Sequence, residues 1–395
     1  MALSGIRVVD LTRILAGPFC SMLLADMGAD VIKIESPGAG DPVRHQGAIR
    51  DGMSWYFAQF NRNKRSLTLN LRTAAGKEVL ARMIAGADIL VENYRPGVLA
   101  EMGFDAARLE ALNPDLVLAS VNGFGSTGPY ADRPAFDFIA QAMSGFMSVN
   151  GREGEEAMRA APPLSDLIAG LYAAFGAVCA LVARGRLPEE GRGQRIEASL
   201  NNGLISMLAY LGVECLATGE APTRTGNDHP IVSPYGLFRA ADGEIAVAAS
   251  HDEIVRRFLA ALELEALLEE PAFADNAARM RNREEINRRI NERVGTDTVA
   301  NWIERLNAAG VPCGRIQDLV DVMADPQVLA QEMVLEVPHP GHGTVKMTGF
   351  PVKMNATPCR VHRPAPDLGQ HTDEVLGEFG FGPEQIGELR AEGVI

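Results

Sequence analysis

The sequence of 395 residues contains few aromatic residues and few cysteines. Aromatic residues make up 6% of the chain, whereas hydrophobic residues make up 47% and charged residues 22%, a composition typical of well-packed globular proteins. The five cysteines are odd in number and widely separated, and no two of them form a C-x-x-C pair. This spacing argues against a disulfide framework or a zinc knuckle, and it favours a reducing compartment.

The chain also lacks the segments and motifs that define several other protein classes. Its longest apolar stretch, residues 167–182, is interrupted by Gly170 and Gly176, so we expect no segment to cross a membrane. The first residues run directly into a predicted strand, without the pattern of a secretory signal, and we expect a cytoplasmic protein. The seven histidines show no H-E-x-x-H spacing, so the sequence predicts no metal site.

The distribution of charge is more informative than its sum. A net charge of −14 argues against general nucleic-acid binding, which needs a basic surface to displace counterions. Residues 1–100 nevertheless contain 12 Lys or Arg against 9 Asp or Glu. Basic groups therefore collect in the first quarter of the chain, where we expect an anionic ligand to bind.

The first 130 residues alternate between predicted strands and helices. Residues 6–11 read as a buried strand, residues 17–29 as an apolar helix and residues 31–35 as a second strand. The further predictions are strands at 66–71, 88–92 and 116–122 and helices at 73–85 and 104–112. Such β-α-β units predict a Rossmann-like α/β domain with a parallel sheet.

The middle and the end of the chain have a different pattern. Apolar helices are predicted from Pro163 to about residue 183 and from about residue 199 to 217. From about residue 223 onward, a hairpin around Asp242-Gly243 and charged helices predict a second, smaller domain. The tail is rich in loops until a last helical pattern begins at Glu374.

Residues 123–128 spell G-x-G-x-x-G after a predicted strand, which is the pattern of a dinucleotide site. That site needs a helix that opens at the third glycine, whereas Pro129 and Pro134 keep the following segment in a loop. The first strand-to-helix turn, residues 12–18, has no glycine triplet. We therefore predict a tight turn at 123–128 and no NAD site.

Basic residues cluster near the ends of several predicted strands. Residues 61–66 bring three cations to the start of one strand, and Arg72 follows that strand. Arg13 and residues 93–95 follow two other strands. A charged, solvated edge strand is the alternative interpretation of residues 61–66. Because ligands in open parallel sheets bind beyond the carboxyl ends of the strands, we predict one anion-binding rim in which Lys and Arg hold phosphate groups.

Asp166 stands at the beginning of a predicted helix, after Pro162 and Pro163. Helix capping alone is one interpretation, since Asp is among the best capping residues. The free amides and the positive end of the helix dipole also favour an ionised carboxylate, the form that acts as a nucleophile. The chain has no G-x-S-x-G elbow, so a serine hydrolase is a weak alternative.

Segments spread along nearly the whole chain match one family. They are residues 11–18, 28–35, 61–66, 92–97, 123–125, 163–170, 193–194, 311–314, 325–328 and 365–369. In these segments the sequence resembles the family III CoA transferases, the CaiB/BaiF group, which includes formyl-CoA and carnitine-CoA transferases and α-methylacyl-CoA racemase. The resemblance implies a CoA thioester as substrate and no permanently bound cofactor.

The resemblance also implies site residues and an architecture. Asp166 matches the family's catalytic aspartate, which carries an aspartyl-CoA thioester. The implied CoA contacts are Arg13, Ile14, Ala16, Leu69, Arg72, Asn93, Tyr94, Arg95, Arg133 and Asp137. A large CoA-binding domain would be built from residues 1–222 and 332–395, with a small α+β domain at 223–331, in a homodimer of interlocked subunits.

The implied function is that of an acyl-CoA:carboxylate CoA-transferase, with a short dicarboxylic or branched acyl-CoA such as succinyl-CoA as donor. Backbone amides at 123–125 or 226–227 are candidates for the oxyanion site. An acyl-CoA racemase or epimerase is one alternative, but Phe136 occupies the place of the racemase's histidine base. A non-catalytic acyl-CoA-binding protein is the other alternative, against which the intact Asp166 argues.

Overall fold

The computed structural model describes residues 1–187 and 192–395. Its internal contacts divide the chain into two compact units. The first unit comprises Met1–Phe146, Arg159–Gly219 and Pro326–Ile395, and the second comprises Met147–Met158 and Glu220–Asp325. Both ends of the chain thus contribute to the first unit.

The secondary structure follows the chain in this order. The strands are β1 (Arg7–Asp10), β2 (Asp30–Glu35), β3 (Ile49–Arg50), β4 (Met53–Ser54), β5 (Lys64–Thr68), β6 (Ile89–Glu92), β7 (Val117–Asn122), β8 (Gln194–Ser199), β9 (Tyr235–Ala240), β10 (Gly243–Ala248), β11 (Cys313–Arg315), β12 (Val334–His339) and β13 (Gly343–Thr348). The helices are α1 (Ala16–Asp26), α2 (Trp55–Asn61), α3 (Ala74–Ala85), α4 (Val98–Glu101), α5 (Ala106–Leu112), α6 (Asp137–Met143), α7 (Phe146–Val149), α8 (Leu164–Arg184), α9 (Leu200–Ser206), α10 (Ala209–Thr218), α11 (Asp252–Ala261), α12 (Asn276–Arg281), α13 (Arg283–Val294), α14 (Val299–Ala308), α15 (Leu319–Ala324), α16 (Pro326–Ala330), α17 (Thr372–Glu378) and α18 (Pro383–Ala391).

The first unit is built around a six-stranded sheet in the order β5-β2-β1-β6-β7-β8. Every neighbouring pair in it is parallel, as the predicted β-α-β units require. Successive residues of a strand point to opposite faces, so Val8 belongs to one apolar cluster and Val9 to another. Helices cover both faces, and the central strands are accordingly rich in buried Val and Ile.

The predicted parallel sheet is confirmed, but it contains a strand that was not predicted, and a helix predicted as continuous is interrupted. The sequence did not predict β8, an edge strand whose residues are largely exposed. The helix predicted from residue 199 to 217 is instead two helices, α9 and α10, which meet at an angle of 82°. Ala209 at their junction has a φ of 50°, and a left-handed residue cannot continue a right-handed helix.

Helix α8 packs on the sheet through a face of small side chains. Ala169, Ala173, Ala177 and Ala180 are buried at helical spacing, and α8 contacts α1, β7 and β8. The expectation that no segment is long and apolar enough to cross a membrane is wrong for α8, whose mean hydropathy is 1.9 over 18 residues. One third of that window is buried inside the protein, and a helix in the core of a protein can have the same length and composition.

The second unit has its own apolar core. Strands β9 and β10 form the antiparallel hairpin predicted around Asp242-Gly243, and β11 pairs with β10. Helices α11, α13 and α14 contribute large buried side chains, including Phe258 and Trp302. This packing explains why the charged helices predicted in this region are amphipathic.

The last part of the chain returns to the first unit and covers the edge strand β5. The backbone N of Asn63 donates to the carbonyl of Arg363 at 2.9 Å. The backbone N of His371 donates to the carbonyl of Ser66 at 2.9 Å. These bonds satisfy polar groups that an open sheet edge would leave unpaired. The antiparallel pair β12–β13, which the sequence did not predict, precedes this segment.

Candidate active site

A cavity of about 410 Å³ opens at the carboxyl ends of three adjacent strands. Its wall contains residues 13–16 after β1, residues 93–96 after β6, and Asn122 and Gly123 at the end of β7. The other wall residues are Pro42, Ala131, Arg133, Pro134, Ala135, Phe136, Asp166 and Leu200. Because loops that follow parallel strands emerge at the same edge, this is the expected position of a ligand in such a sheet.

The cavity brings together eight of the predicted site residues. They are Arg13, Ile14, Ala16, Asn93, Tyr94, Arg95, Arg133 and Asp166. Three others do not line it: Leu69 is buried in an apolar cluster, Arg72 is exposed before α3, and Asp137 is buried at the start of α6. The fold thus gathers four separate stretches of sequence around one space.

The segment after β1 is held in an uncommon backbone conformation. Ile14 has a φ of 70°, in the left-handed region, which a β-branched residue adopts only where its surroundings impose it. The side chain of Asn93 accepts from the backbone N of Arg13 at 3.0 Å and donates to its carbonyl at 2.8 Å. Asp41 accepts from the backbone N of Ile14 at 3.2 Å. These bonds fix the part of the wall that Arg13 and Ile14 form.

The cations of residues 61–66 do not belong to the wall, and the prediction that they hold phosphate groups is wrong. Arg62, Lys64 and Arg65 are buried. Their ion pairs are Arg62–Asp26 at 2.8 Å, Lys64–Asp10 at 3.1 Å and Arg65–Asp30 at 2.6 Å. They compensate acidic side chains inside the first unit, where an unpaired charge is strongly destabilising.

Asp166 lies in the first turn of α8 and is half-buried in the cavity wall. Burial, followed by the negative charge of Asp137, raises the pKa of Asp166 to about 7. Burial and Asp137 thus favour the protonated form, contrary to the expectation that the helix start keeps this carboxyl group ionised. A titratable group with a strongly shifted pKa inside a cavity is typical of a functional site.

Asp137 holds the beginning of α8. Its Oδ1 accepts hydrogen bonds from the backbone N of Ser165 at 3.0 Å and from the Ser165 hydroxyl at 2.8 Å, and its Oδ2 accepts from Gln141 at 2.8 Å. Pro163, at the N-cap position of α8, makes no capping bond, so Asp137 supplies the acceptor from another helix. Asp137 thus orients the turn that carries Asp166.

Positive charge dominates the cavity wall. Arg13, Arg95 and Arg133 line it, and within the described residues none of the three forms an ion pair with an acidic side chain. The guanidinium group of Arg133 lies over the ring of Tyr130, 4.6 Å from its centroid. Guanidinium groups bind phosphate and carboxylate oxygens through paired hydrogen bonds. The wall is therefore suited to an anionic ligand that approaches the Asp166 carboxyl group.

Two amides of the candidate oxyanion turns already have partners. The backbone N of Gly125 donates to the side chain of Asn122 at 2.6 Å, and that of Gly226 donates to the carbonyl of Gly151 at 2.8 Å. Within residues 1–187 and 192–395, no group of three or more His, Cys, Asp or Glu side chains is placed to hold a metal ion.

Comparison with known proteins supplies the family. The family model of CoA-transferase family III matches residues 3–372. The chain belongs to CoA-transferase family III. The family resemblance and the assignment to the CoA-transferases are thereby confirmed, and the cavity described above is the candidate active site of a CoA-transferase.

Relatives of this family III chain match it over almost their whole length. The human succinyl-CoA:glutarate CoA-transferase is 35% identical over 396 residues, which are 100% of this chain and 90% of the relative. The succinate–glutarate CoA-transferase of Agrobacterium fabrum is 37% identical over 389 residues, 95% of each chain. The crystal structure of a CaiB/BaiF family protein from Brucella suis superposes with a TM-score of 0.83 at 35% identity, covering 95% of this chain and 99% of that one.

Three residues near the site of this CoA-transferase, Asp41, Tyr56 and Ser165, were not predicted from its sequence. Asp41 accepts a hydrogen bond from the backbone N of Ile14, and the hydroxyl of Ser165 donates to Asp137. No sequence motif marks Asp41. Burial, followed by the charges of Asp166 and Asp41, raises the pKa of Tyr56 to about 12. Only Ser165 carried a signal, because a hydroxyl residue at a helix start commonly takes part in capping.

Proposed function

We propose that this enzyme moves coenzyme A from a short dicarboxylic or branched acyl-CoA, such as succinyl-CoA, to a second carboxylic acid. The observation that carries the proposal is the carboxyl group of Asp166, half-buried in a cavity with three arginines that form no ion pair within the described part of the chain. The relatives named for succinyl-CoA and glutarate support a dicarboxylic acid pair. Asp166 supplies the nucleophile, and the arginines supply positive charge for the anionic groups of the substrates.

In the first half of the reaction, the ionised Asp166 attacks the thioester carbonyl of the donor acyl-CoA. The carbon–sulfur bond breaks, CoA leaves as a thiolate, and the acyl group and Asp166 form a mixed anhydride. The thiolate then attacks the Asp166 carbonyl of that anhydride. The donor acid leaves as a carboxylate, and an aspartyl-CoA thioester remains on Asp166.

In the second half, the acceptor carboxylate attacks the aspartyl-CoA thioester and releases the CoA thiolate. The new anhydride joins the acceptor to Asp166, and the thiolate attacks its acceptor carbonyl. The acceptor acyl-CoA leaves, and Asp166 is again a carboxylate. Every bond to CoA that breaks is therefore formed again within the site, so the reaction needs no external energy source.

The wall residues have distinct parts in this proposal. Arg13, Arg95 and Arg133 bind the phosphate groups of CoA, and Asn93 fixes the backbone that carries Arg13. Ile14, Ala16 and Tyr94 provide contact surface. Leu69 and Arg72 extend the CoA contacts beyond the cavity, and Asp137 contributes by orienting the start of α8.

We further propose that the enzyme is cytoplasmic and forms a homodimer of interlocked subunits, with a large domain of residues 1–222 and 332–395 and a small domain of residues 223–331. Exposed apolar side chains support the dimer. Helix α10 buries none of its residues, and Val213 and Leu216 on it are 67% and 88% exposed. Apolar faces of this kind mark interaction surfaces, and a second subunit would cover them.

Trapping the intermediate tests the proposed chemistry. Incubation with an acyl-CoA donor and no acceptor should leave an acyl or CoA adduct on the peptide that contains residues 162–170. Hydroxylamine should convert the adduct to an aspartyl hydroxamate, and borohydride should reduce the thioester form, each with a defined mass change. Screening acid pairs for new CoA thioesters by mass spectrometry then identifies the donor and the acceptor.

Two variants of Asp166 test whether its carboxylate is needed for transfer but not for CoA binding. Asp166→Ala should abolish both the adduct and the transfer while CoA binding persists, and Asp166→Asn should do the same with a side chain of nearly the same shape. An adduct on another residue, or full transfer by Asp166→Ala, contradicts the mechanism. Exchange of the α-proton of a 2-methylacyl-CoA in deuterated buffer would instead identify a racemase, and CoA binding without adduct or transfer would identify a non-catalytic binding protein.

A further inference from the structure

Side chains from two strands hold the turn at residues 123–128. Asn122, the last residue of β7, accepts from the backbone N of Gly125. Glu197 on β8 accepts from the backbone N of Ser126 through Oε1 and from the Ser126 hydroxyl through Oε2, each at 2.5 Å. The turn is thus tied to the edge strand through both oxygens of one carboxylate, a bidentate arrangement that restricts rotation as well as distance.

Glu197 is suited to hold this turn as a charged group. Burial by itself would raise the pKa of Glu197, but the hydrogen bonds from Ser126 and the charge of Arg195 outweigh burial, and the pKa lies below its ordinary value. Arg195 donates to Oε2 of Glu197 at 3.1 Å. The Glu197 side chain is 26% exposed and does not line the cavity.

A series of contacts leads from the turn into the cavity wall. The ring of Phe124 packs edge-on against the ring of Tyr130, with 5.8 Å between centroids. The guanidinium group of Arg133 lies over that same Tyr130 ring, and the backbone N of Arg133 donates to the Tyr130 carbonyl at 3.0 Å. The position of Phe124 therefore limits where the Arg133 side chain can lie.

We propose that Glu197 is a positioning residue: by holding Ser126 it fixes the loop of residues 123–133 and places Arg133 in the cavity wall, where Arg133 binds the phosphate groups of the acyl-CoA. The inference rests on the proposed function, because it takes Arg133 as a CoA contact. Without Glu197 the loop samples more conformations, and Arg133 occupies its binding position for a smaller fraction of the time. Asp166, on a different element, is unaffected.

Steady-state kinetics test this role. Glu197→Ala should raise KM for the acyl-CoA about tenfold and change kcat less than about twofold, because binding and not chemistry is weakened. Arg133→Ala should raise KM by a similar factor. The double variant should match Arg133→Ala alone, since two residues that act through one contact are not additive. Calorimetry with free CoA should give the same pattern in Kd, and this measurement does not require transfer.

Three further variants serve as controls. Glu197→Gln should keep most of the affinity, because an amide can accept from the Ser126 backbone N and donate to its hydroxyl. Ser126→Ala removes one of the two bonds and should raise KM about threefold; it replaces Glu197→Ala if that variant does not fold. Glu110→Ala changes an exposed glutamate on α5 and should leave KM unchanged.

The results of these experiments distinguish failure of the positioning role of Glu197 from failure of the proposed function. An unchanged KM and Kd in Glu197→Ala, or a further tenfold rise in the double variant, overturns the positioning role. Arg133→Ala without effect on CoA binding overturns it as well and also removes Arg133 from the proposed CoA site. Tenfold weaker binding of free CoA by Glu197→Ala supports the positioning role even if the wild-type enzyme transfers CoA between none of the acids screened.

Discussion

The carboxyl groups of Asp166 and Asp137 are close enough for the charge of one to affect the other. Partial removal from water and a neighbouring negative charge both disfavour the ionised form of Asp166. A carboxylate of higher pKa is a stronger nucleophile once it is ionised, but a smaller fraction of it is ionised at neutral pH. Asp137 therefore orients the turn that carries the proposed nucleophile and adds to the effect of burial in raising its pKa.

The rate of acyl transfer to Asp166 should depend on pH around neutrality. In single-turnover experiments by rapid quench, the rate should rise with pH and level off above a midpoint near 7, because only the ionised carboxyl group attacks. Asp137→Asn retains an acceptor for Ser165 and removes the charge, so the midpoint should move to lower pH and the rate at pH 6 should increase. A midpoint near 4 in the wild-type enzyme contradicts this account of Asp166.

The raised pKa of Asp166 also has a consequence for stability. When the folded-state pKa of an Asp lies above its unfolded value, ionisation costs stability; the cost is absent below about pH 4 and complete above about pH 7. Asp166→Asn removes it, so the variant should melt roughly 2–4 °C higher than the wild type at pH 8. The difference should shrink as the pH falls from 7 toward 4. A variant that is less stable at pH 8 in thermal unfolding contradicts the shift.

At the scale of elements, the contact between α1 and α8 places two parts of the site side by side. Gly170 on α8 approaches the first turn of α1 so closely that an added Cβ would lie 2.4 Å from the carbonyl oxygen of Ala16. Ala16 lines the cavity, and Asp166 lies one helical turn before Gly170. The small residue at this position therefore sets the separation between the nucleophile and the loop after β1.

Gly170→Ala should reduce both stability and activity. The added methyl group must push α8 away from α1, and such overpacking costs about 1–3 kcal/mol. Transfer should fall because Asp166 moves relative to residues 13–16. Gly387→Ala is the matched control: Gly387 lies within α18, no atom of the described residues comes within 4 Å of its Cβ position, and the change should stabilise by about 0.4–1 kcal/mol. Chemical denaturation measures the change in the free energy of unfolding for both variants. Equal changes in Gly170→Ala and Gly387→Ala contradict the close contact between α8 and α1.

At the scale of the whole molecule, the proposed interlocked dimer predicts unusual resistance to dissociation. Linked chains separate only by unfolding, so the protein should remain dimeric on dilution from roughly micromolar to nanomolar concentration. Sedimentation velocity with fluorescence detection measures this directly. Leu216→Glu, at the most exposed apolar position of α10, should lower the denaturant concentration at which the dimer unfolds, and a glutamate at an exposed position outside the apolar faces should not. A reversible monomer at micromolar concentration contradicts interlocking.

In the whole molecule, the basic residues of the first quarter of the chain include some that are buried in ion pairs and others that line the cavity. The sequence shows only that basic residues are abundant there. In the fold, Lys64 meets Asp10 although 54 residues separate them, whereas Arg13 and Arg95 reach the cavity wall. Which cation is buried in an ion pair and which is available to a ligand depends on partners that are distant in sequence, so composition cannot distinguish them.

The sequence by itself determined the parallel α/β sheet, because strand and helix periodicities are local and β-α-β order allows few topologies. It also determined the family and, through the segment at 163–170, the candidate nucleophile Asp166. Only the tertiary structure decided the edge strand β8, the break between α9 and α10, and the protonation of Asp166. The strand and the protonation depend on contacts between residues far apart in the chain, because a strand needs its neighbour and a pKa reflects the charges and the burial that the fold brings around the group.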